Sequence, residues 1–373
     1  MTSRVPYVDL ATQQQKIEGA LLAAVTRVLR HAHFVNGPEV GELEAQIAKR
    51  CGVQHSVAVG NGTDAIHLTL RGLGIGAGHE VITTPNSFVA SAAAIALAGA
   101  KPVFVDVGDD HNMDPAALEG AIRPATRAIL VVHLRGRPAR MDEIGAIAQK
   151  HGVLLLEDCA QALGASLHGK SIGAFGAAGC LSFHPLKNLG ACGDGGMVLT
   201  NDARLAEWLI KARSHGLRDR DHCDFFSYNS RLDTLQAALL LAKLEHLDDW
   251  SRARRDTAAF YRSELGGLVE VPNERPGEHA VYHTFVIETD HRDALQQSLL
   301  DSGVETRIHY PTPIHLEEAS KSLGYRAGDF PRVERQAGRI LSLPIFPELS
   351  REQKETVTSG VKSFFRSMRR PGA

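Results

Sequence analysis

Ala128-Ile-Leu-Val-Val132, Met141-Asp-Glu-Ile-Gly-Ala-Ile-Ala-Gln-Lys150 and Val153-Leu-Leu-Leu-Glu157 follow one another along the chain. The first and third runs are too short for a helix pattern and have almost no polar positions. Such runs read as strands buried on both faces. The middle run carries apolar residues at helical spacing. Strand, helix and strand in this order predict a parallel sheet covered on both faces.

The same alternation extends in both directions. Upstream, Glu80–Thr84 and Pro102–Asp106 read as strands, and Ser87–Leu97 and Pro115–Ile122 as helices. Earlier still, the strand His55–Val59 leads through Gly60-Asn-Gly-Thr-Asp64 into a helix over Ala65–Leu73. Downstream, apolar strands are predicted around Ala178–Phe183 and Met197–Thr200. The pattern predicts an α/β fold with a large, doubly wound, mostly parallel sheet. Helices are also expected over Gln13–His31, Glu39–Cys51, Arg204–Ser214, Ser230–Leu247 and Leu247–Leu265. The Pro-rich segment Val271-Pro-Asn-Glu-Arg-Pro-Gly277 marks a boundary. It divides a large domain, 1–270, from a smaller C-terminal α+β domain, 271–373. In the latter, strands are expected at Val281–Glu288 and Glu305–His309, and helices at Asp293–Ser302 and Arg351–Ser367.

Composition excludes several function classes. The 373 residues are 43% hydrophobic and 23% charged, with a formal net charge of −2. That balance gives no footprint for nucleic acid or an anionic membrane. Arg366, Arg369 and Arg370 near the end read as solvated charges. No run approaches the roughly 18 apolar residues of a membrane span. The opening residues lack the apolar stretch of a signal peptide, which predicts a cytoplasmic protein. Cys51, Cys159, Cys180, Cys192 and Cys223 have neither disulfide nor metal-binding spacing, so no metal site is expected. Gly72-Leu-Gly-Ile-Gly-Ala-Gly78 has the wrong spacing and follows a helix, so it is no dinucleotide fingerprint.

Three features place chemistry at the carboxyl ends of the strands, where open α/β sheets bind ligands. The first is the turn at Thr63, which offers free N–H groups and a helix dipole to an anion, or is a plain helix cap. The second is Asp158, an acid ending a buried strand. It needs a cationic partner or caps the next helix. The third is Lys187, in Cys180-Leu-Ser-Phe-His-Pro-Leu-Lys187-Asn-Leu-Gly-Ala-Cys-Gly-Asp-Gly-Gly196. A desolvated amine there can act as a nucleophile, and a solvated loop lysine is the alternative. Together they make the set that pyridoxal phosphate needs: a phosphate anchor, an acid for the ring nitrogen and an amine for the aldehyde. Asp158 follows Thr63 by about 95 residues and Lys187 follows by about 30 more, an order that suits one doubly wound sheet.

Longer motifs carry a resemblance. Asn61-Gly-Thr-Asp-Ala65, Thr84-Pro-Asn-Ser-Phe-Val-Ala90, Glu157-Asp-Cys-Ala-Gln161, Ser182-Phe-His-Pro-Leu-Lys-Asn-Leu-Gly190, Gly193-Asp-Gly-Gly196, Tyr228-Asn-Ser-Arg-Leu-Asp233 and Ile308-His-Tyr-Pro311 span most of the chain. Over about Val5–Val361 it resembles the DegT/DnrJ/EryC1/StrS family of sugar aminotransferases, which have the aspartate-aminotransferase type I fold and use pyridoxal phosphate. The resemblance implies that Lys187 is the Schiff-base lysine and proton shuttle. It implies that Asp158 pairs with the ring nitrogen, Gln161 contacts the ring hydroxyl and Phe88 stacks on the ring. Gly62, Thr63 and Ser182 would hold the phosphate. Asn229 would reach the cofactor phosphate of a second subunit, since the family forms homodimers with shared active sites. His309 and Tyr310 would line the sugar pocket.

The implied reaction moves an amino group from glutamate, or glutamine, to a nucleotide-linked keto sugar. The opening Val5-Pro-Tyr-Val-Asp-Leu-Ala11 and the Asn61-Gly-Thr-Asp64 motif look most like members acting at C-3 of a dTDP-linked keto-deoxysugar. Amination at C-4 and a cyclitol (inosose) substrate are the alternatives. A sugar dehydratase of the family would carry His in place of Lys187, and a non-catalytic regulatory relative would be expected to lose part of the set. Four positions depart from the family's usual pattern: His184, Arg135, Arg137 and Cys159. The two arginines are either surface charges or change which anionic group is bound.

Overall fold

A computed structural model describes residues 4–368, so Arg369 and Arg370 lie outside the described residues. Seven strands form the central sheet, in the spatial order His55–Val59, Gly196–Thr200, Ala178–Ser182, Leu154–Asp158, Thr126–Val132, Glu80–Thr83, Lys101–Phe104. Gly196–Thr200 is antiparallel to both of its neighbours. The pairs beyond it, from Ala178–Ser182 to Lys101–Phe104, are all parallel.

The sheet is covered on both sides because its strands are apolar on both sides. Successive side chains on a strand point to opposite faces. In Thr126–Val132, Ile129 and Val131 join one core and Ala128 and Leu130 the other. Met197 and Leu199 likewise split from Val198. The first core takes in the helices Pro38–Cys51, Met141–His151 and Thr234–Leu244. The second takes in Gly62–Gly72, Ala90–Leu97 and Ala203–Ala212. Each fully buried Leu or Ile in these layers contributes about 1.5–3 kcal/mol.

A third core lies around the antiparallel pair Phe285–Glu288 and Ile340–Leu343. The helices Arg292–Asp301 and Arg351–Met368 pack on it, with Ala258, Tyr261 and Leu265 from the helix Leu247–Leu265 and Val5 from the N-terminal segment.

Several elements differ from expectation. The N-terminal helix breaks at Ile17 (φ −121°, ψ 15°) into Leu10–Lys16 and Glu18–His31. Glu305–His309 does not form a strand, and only Arg307 bridges to Ser342. The strand beside Phe285–Glu288 is instead Ile340–Leu343, whose short apolar run went unread. The helix expected from Ser230 starts at Thr234, because Ser230 turns its hydroxyl to Asp64 (2.6 Å) and accepts from the Gly60 N–H (3.0 Å). Among the described residues, no helix is long and apolar enough to cross a membrane.

Candidate active site

A cavity of about 660 Å³ opens at the carboxyl ends of the parallel strands, inside the usual size range of ligand sites. Its first wall is the turn after His55–Val59. Asn61, extended at φ −166°, caps the helix Gly62–Gly72 by accepting from the Asp64 N–H at 2.8 Å. The first backbone bond of that helix runs from Ala65 N to Asn61 O (3.1 Å). The N–H groups of Gly62 and Thr63 precede it and have no helical acceptor. Gly62 approaches Ser182, the last residue of its strand, so closely that a Cβ on residue 62 would sit 2.7 Å from the Ser182 Cβ. Two free amides, two hydroxyls and a helix N-terminus therefore converge on a cradle that fits a phosphate.

Adjacent acids at the end of Leu154–Asp158 have opposite fates. Glu157 points into the protein and is satisfied there by His133 (3.1 Å) and the N–H groups of Gly173, Phe175 and Gly176 (2.7–2.8 Å). Asp158 points into the cavity at 5% exposure. The Ser91 hydroxyl donates to its Oδ2 at 2.7 Å and the Ala160 N–H to its Oδ1 at 3.1 Å. Among the described residues no cation lies within ion-pair distance of Asp158. A nearly buried carboxylate with only neutral donors is a place for a positive charge, such as a protonated ring nitrogen.

Lys187 shares this cavity. Its loop is held by the Lys187 N–H on the His184 carbonyl (2.8 Å). Burial pulls the ammonium below its ordinary range, while the charge on Asp158 opposes that shift. The amine is thus easier to free for nucleophilic or proton-transfer work. Phosphate cradle, unpaired acid and softened amine fit pyridoxal phosphate.

The remaining wall comes from loops. Phe88 is 55% exposed, and its ring centroid is 6.0 Å from that of Tyr310. The Gln161 amide donates to the Tyr310 hydroxyl at 3.4 Å, while its carbonyl accepts from the Arg135 N–H at 2.5 Å. His309 lies 2.9 Å from the Ser342 hydroxyl through Nδ1. Burial, aided by Arg135 and Lys187, pulls it down to about 4, so it is neutral near pH 7. Burial pushes Tyr310 up to about 12.

Every expected site residue but one lines this cavity; Asn229 does not. It sits in an exposed loop, bridged to Ser214. Two contributors went unread in the sequence. Ser91 is recognisable only as one turn beyond Ser87, to which it is bonded at 2.7 Å. His283 arrives from beyond residue 270 and left no local signal. His184, noted as a departure, lies at the cavity, and Arg137 is paired with Glu278 (2.9 Å).

Comparison with known proteins agrees with the geometry. The model of the DegT/DnrJ/EryC1/StrS aminotransferase family matches residues 15–362. A pleiotropic regulatory protein of Geobacillus stearothermophilus is 44% identical, over 97% of this chain and 99% of that protein. The dTDP-3-amino-3,4,6-trideoxy-alpha-D-glucose transaminase of Streptomyces venezuelae is 43% identical, over 97% of both. The crystal structure of S. venezuelae DesV in complex with a ketimine intermediate superposes with a TM-score of 0.96, at 42% identity, covering 100% of both chains. With its fold, its cavity and its sequence in agreement, the chain belongs to the DegT/DnrJ/EryC1/StrS aminotransferase family.

Proposed function

We propose that the protein is a pyridoxal-phosphate-dependent aminotransferase that transfers an amino group from glutamate to C-3 of a nucleotide-linked keto-deoxysugar. The observation that carries this reading is the single cavity that joins the phosphate cradle, the unpaired Asp158 and the buried amine of Lys187. The similar transaminase from Streptomyces venezuelae supports the substrate class.

When bound, the cofactor supplies an electrophilic aldehyde and an electron sink for the carbon that gives up the amino group. The chain's own residues do the rest. Gly62 and Thr63 N–H groups and the Ser182 hydroxyl bind the phosphate. Asp158 keeps the ring nitrogen protonated, held in place by Ser91 and Ala160. Gln161 directs its amide N–H to the ring hydroxyl, because its carbonyl is already occupied by Arg135. Phe88 covers one ring face. Lys187 Nζ is the amine that would hold the cofactor's aldehyde. The same Nζ, once free, would carry the transferred proton, as base and then acid. His309 and Tyr310 meet the sugar. Asn229, outside its own cavity, reaches the cofactor phosphate of a partner subunit in a homodimer. The protein works in the cytoplasm.

The likeness to a protein named as regulatory does not displace this reading, since a purely regulatory role has no use for the complete set. The test is a half-reaction. Enzyme converted by glutamate to its amino form is freed of donor and offered 3-keto and 4-keto nucleotide sugars separately. Return of the yellow lysine-bound form with a 3-keto sugar alone is expected. Return only with 4-keto sugars would correct the position, and no reaction with glutamate at all would sink the proposal.

A further inference from the structure

His283 lines the same cavity as Lys187, and its ring is tied to the residue that follows that lysine. Nδ1 of His283 lies 3.3 Å from the side-chain oxygen of Asn188. Asn188 is buried, and its amide nitrogen donates to the Val281 carbonyl at 3.1 Å. A carbonyl only accepts, so the nitrogen of Asn188 is spent as a donor and its oxygen is left to accept. His283 Nδ1 must therefore carry the hydrogen. In the neutral ring Nε2 is then a bare acceptor. The ring is neutral near pH 7. Burial pulls its proton affinity well below the ordinary histidine range, and the charges of Lys187 and Arg254 push the same way.

The backbone holds this acceptor in place. Tyr282 has a φ of +45°, a left-handed conformation that a non-glycine residue adopts at a cost. On either side of it, the Val281 N–H donates to the Gly136 carbonyl at 2.9 Å and the His283 N–H to the Arg135 carbonyl at 3.0 Å. Arg254, itself buried, donates to the carbonyls of Tyr282 (3.3 Å) and His283 (3.4 Å). The other acceptors of the cavity are less suited to an amine. Asp158 accepts from Ser91 and Ala160, and the Tyr310 hydroxyl accepts from Gln161. The tautomer of His309 is left open by the Ser342 hydroxyl, which can donate or accept. An amine released on a flexible four-carbon stem needs such a fixed partner to have a defined direction.

We propose that His283 is a positioning residue for Lys187: its Nε2 accepts one N–H of the free amine and so aims the amine's lone pair at the carbon that gives up its proton. The ring takes no proton itself. The inference rests on the reading of Lys187 as the proton carrier of an aminotransferase.

The test is the glutamate half-reaction of the holoenzyme. Loss of the yellow colour is followed in a single turnover with glutamate and with glutamate deuterated at its α-carbon. His283→Asn keeps a donor for Asn188 and has no atom at the Nε2 position. His283→Gln keeps an acceptor near that position and gives up the bond to Asn188. His283→Asn is expected to slow the reaction by about 10-fold, the worth of one well-placed hydrogen bond. It should also enlarge the deuterium effect and leave the glutamate concentration at half-maximal rate unchanged. His283→Gln should recover most of the lost rate. The reverse order, with His283→Gln the slower, would mean that the ring only anchors Asn188 and would overturn the proposal. So would a His283→Asn enzyme as fast as the wild type, which would leave the aminotransferase reading standing. A wild type that stays yellow with glutamate would strike that reading itself. Should the variants fail to fold, nitrogen NMR of the histidine-labelled wild-type apoprotein decides. A hydrogen on Nδ1 and none on Nε2 is expected at His283, and the opposite tautomer would overturn the proposal.

Discussion

The two walls of the main cavity are built in different ways. On the sheet side, Asp158 and Ser182 end strands, Lys187 follows one within a few residues, and Gly62 and Thr63 open a helix. The backbones of Asp158, Ser182, Gly62 and Thr63 are pinned by regular structure, and the Lys187 loop is held by its own N–H on the His184 carbonyl. On the opposite side, Phe88, Gln161, His283, His309 and Tyr310 sit on irregular backbone, drawn from segments far apart in the chain. The contrast separates tasks. On the proposed reading, the cofactor's phosphate, ring nitrogen and aldehyde are met from the sheet side, and the sugar is met from the loop side, where side chains change without disturbing the sheet. Substitutions on the first wall should therefore damage both half-reactions, as should those at Phe88 and Gln161, which the proposed function sets against the cofactor ring, whereas those at His309 and Tyr310 should damage only the sugar half.

The largest expected effect is Lys187→Ala. In the proposed mechanism it removes both the amine that would hold the cofactor and the proton carrier, and general acid–base transfer alone is worth ~10²–10⁴-fold. Turnover should fall by at least about 10⁴-fold in both directions, measured by single-turnover absorbance. Measurable steady-state turnover would break the division of labour at its centre. Asp158→Asn comes next. It keeps an acceptor for Ser91 but loses the charge proposed to face the ring nitrogen, and a hydrogen bond to a charged group is worth about 1.5–3 kcal/mol. Both half-reactions should slow by roughly 10–100-fold, while a slowing confined to the sugar half would place Asp158 on the wrong wall.

Gly62→Ala tests the cradle itself. The new methyl would lie 2.7 Å from the Ser182 Cβ, with both backbones held by regular structure. Overpacking of this kind costs about 1–3 kcal/mol. The expected result is a lower melting temperature and weaker cofactor retention on dialysis, and unchanged retention would mean the phosphate lies elsewhere. On the loop wall, Tyr310→Phe removes one hydroxyl that accepts from Gln161. A neutral hydrogen bond is worth about 0.5–1.5 kcal/mol. The sugar half-reaction should lose about 2–10-fold with the glutamate half nearly unchanged, and equal losses in both would erase the contrast.

The same contrast governs how much of the molecule was legible in the sequence. All seven strands of the sheet were readable, because burial on both faces leaves runs such as Ala128-Ile-Leu-Val-Val132 without a polar residue. Thr63, Asp158 and Lys187 were readable because each stands where such a run ends. The loop wall was legible only through family motifs. Nothing local to His283 shows that its ring will face Lys187, since the approach is made by a segment about a hundred residues downstream. Arg135 was misjudgeable for a similar reason. A left-handed turn and the loss of solvent around a side chain are products of tertiary packing, and its neighbours Gly136 and Arg137 read equally well as an exposed loop. Glu305–His309 was expected as a strand from its alternation, yet only one of its residues finds a ladder partner.

The smallest effect tests whether the rigid wall pre-forms its chemistry before any cofactor arrives. In the folded apoprotein, burial disfavours the Lys187 ammonium and lowers its proton affinity from the ordinary value of 10.5, and Asp158 offsets this only in part. The unfolded chain therefore binds more protons at this position than the folded one, and this group's contribution to stability rises with pH between the lowered folded value and 10.5. Lys187→Met keeps the chain length and removes the titration. Below that window the wild-type apoprotein bears the whole cost of a buried charge, so the Met variant should melt higher. As pH climbs through the window the wild type sheds its proton, and the two melting curves should converge. Melting temperatures of both apoproteins from pH 7 to 10 give the answer. A difference that stays constant with pH would mean that the amine is solvated in the free protein and that the cofactor, not the fold, creates its environment.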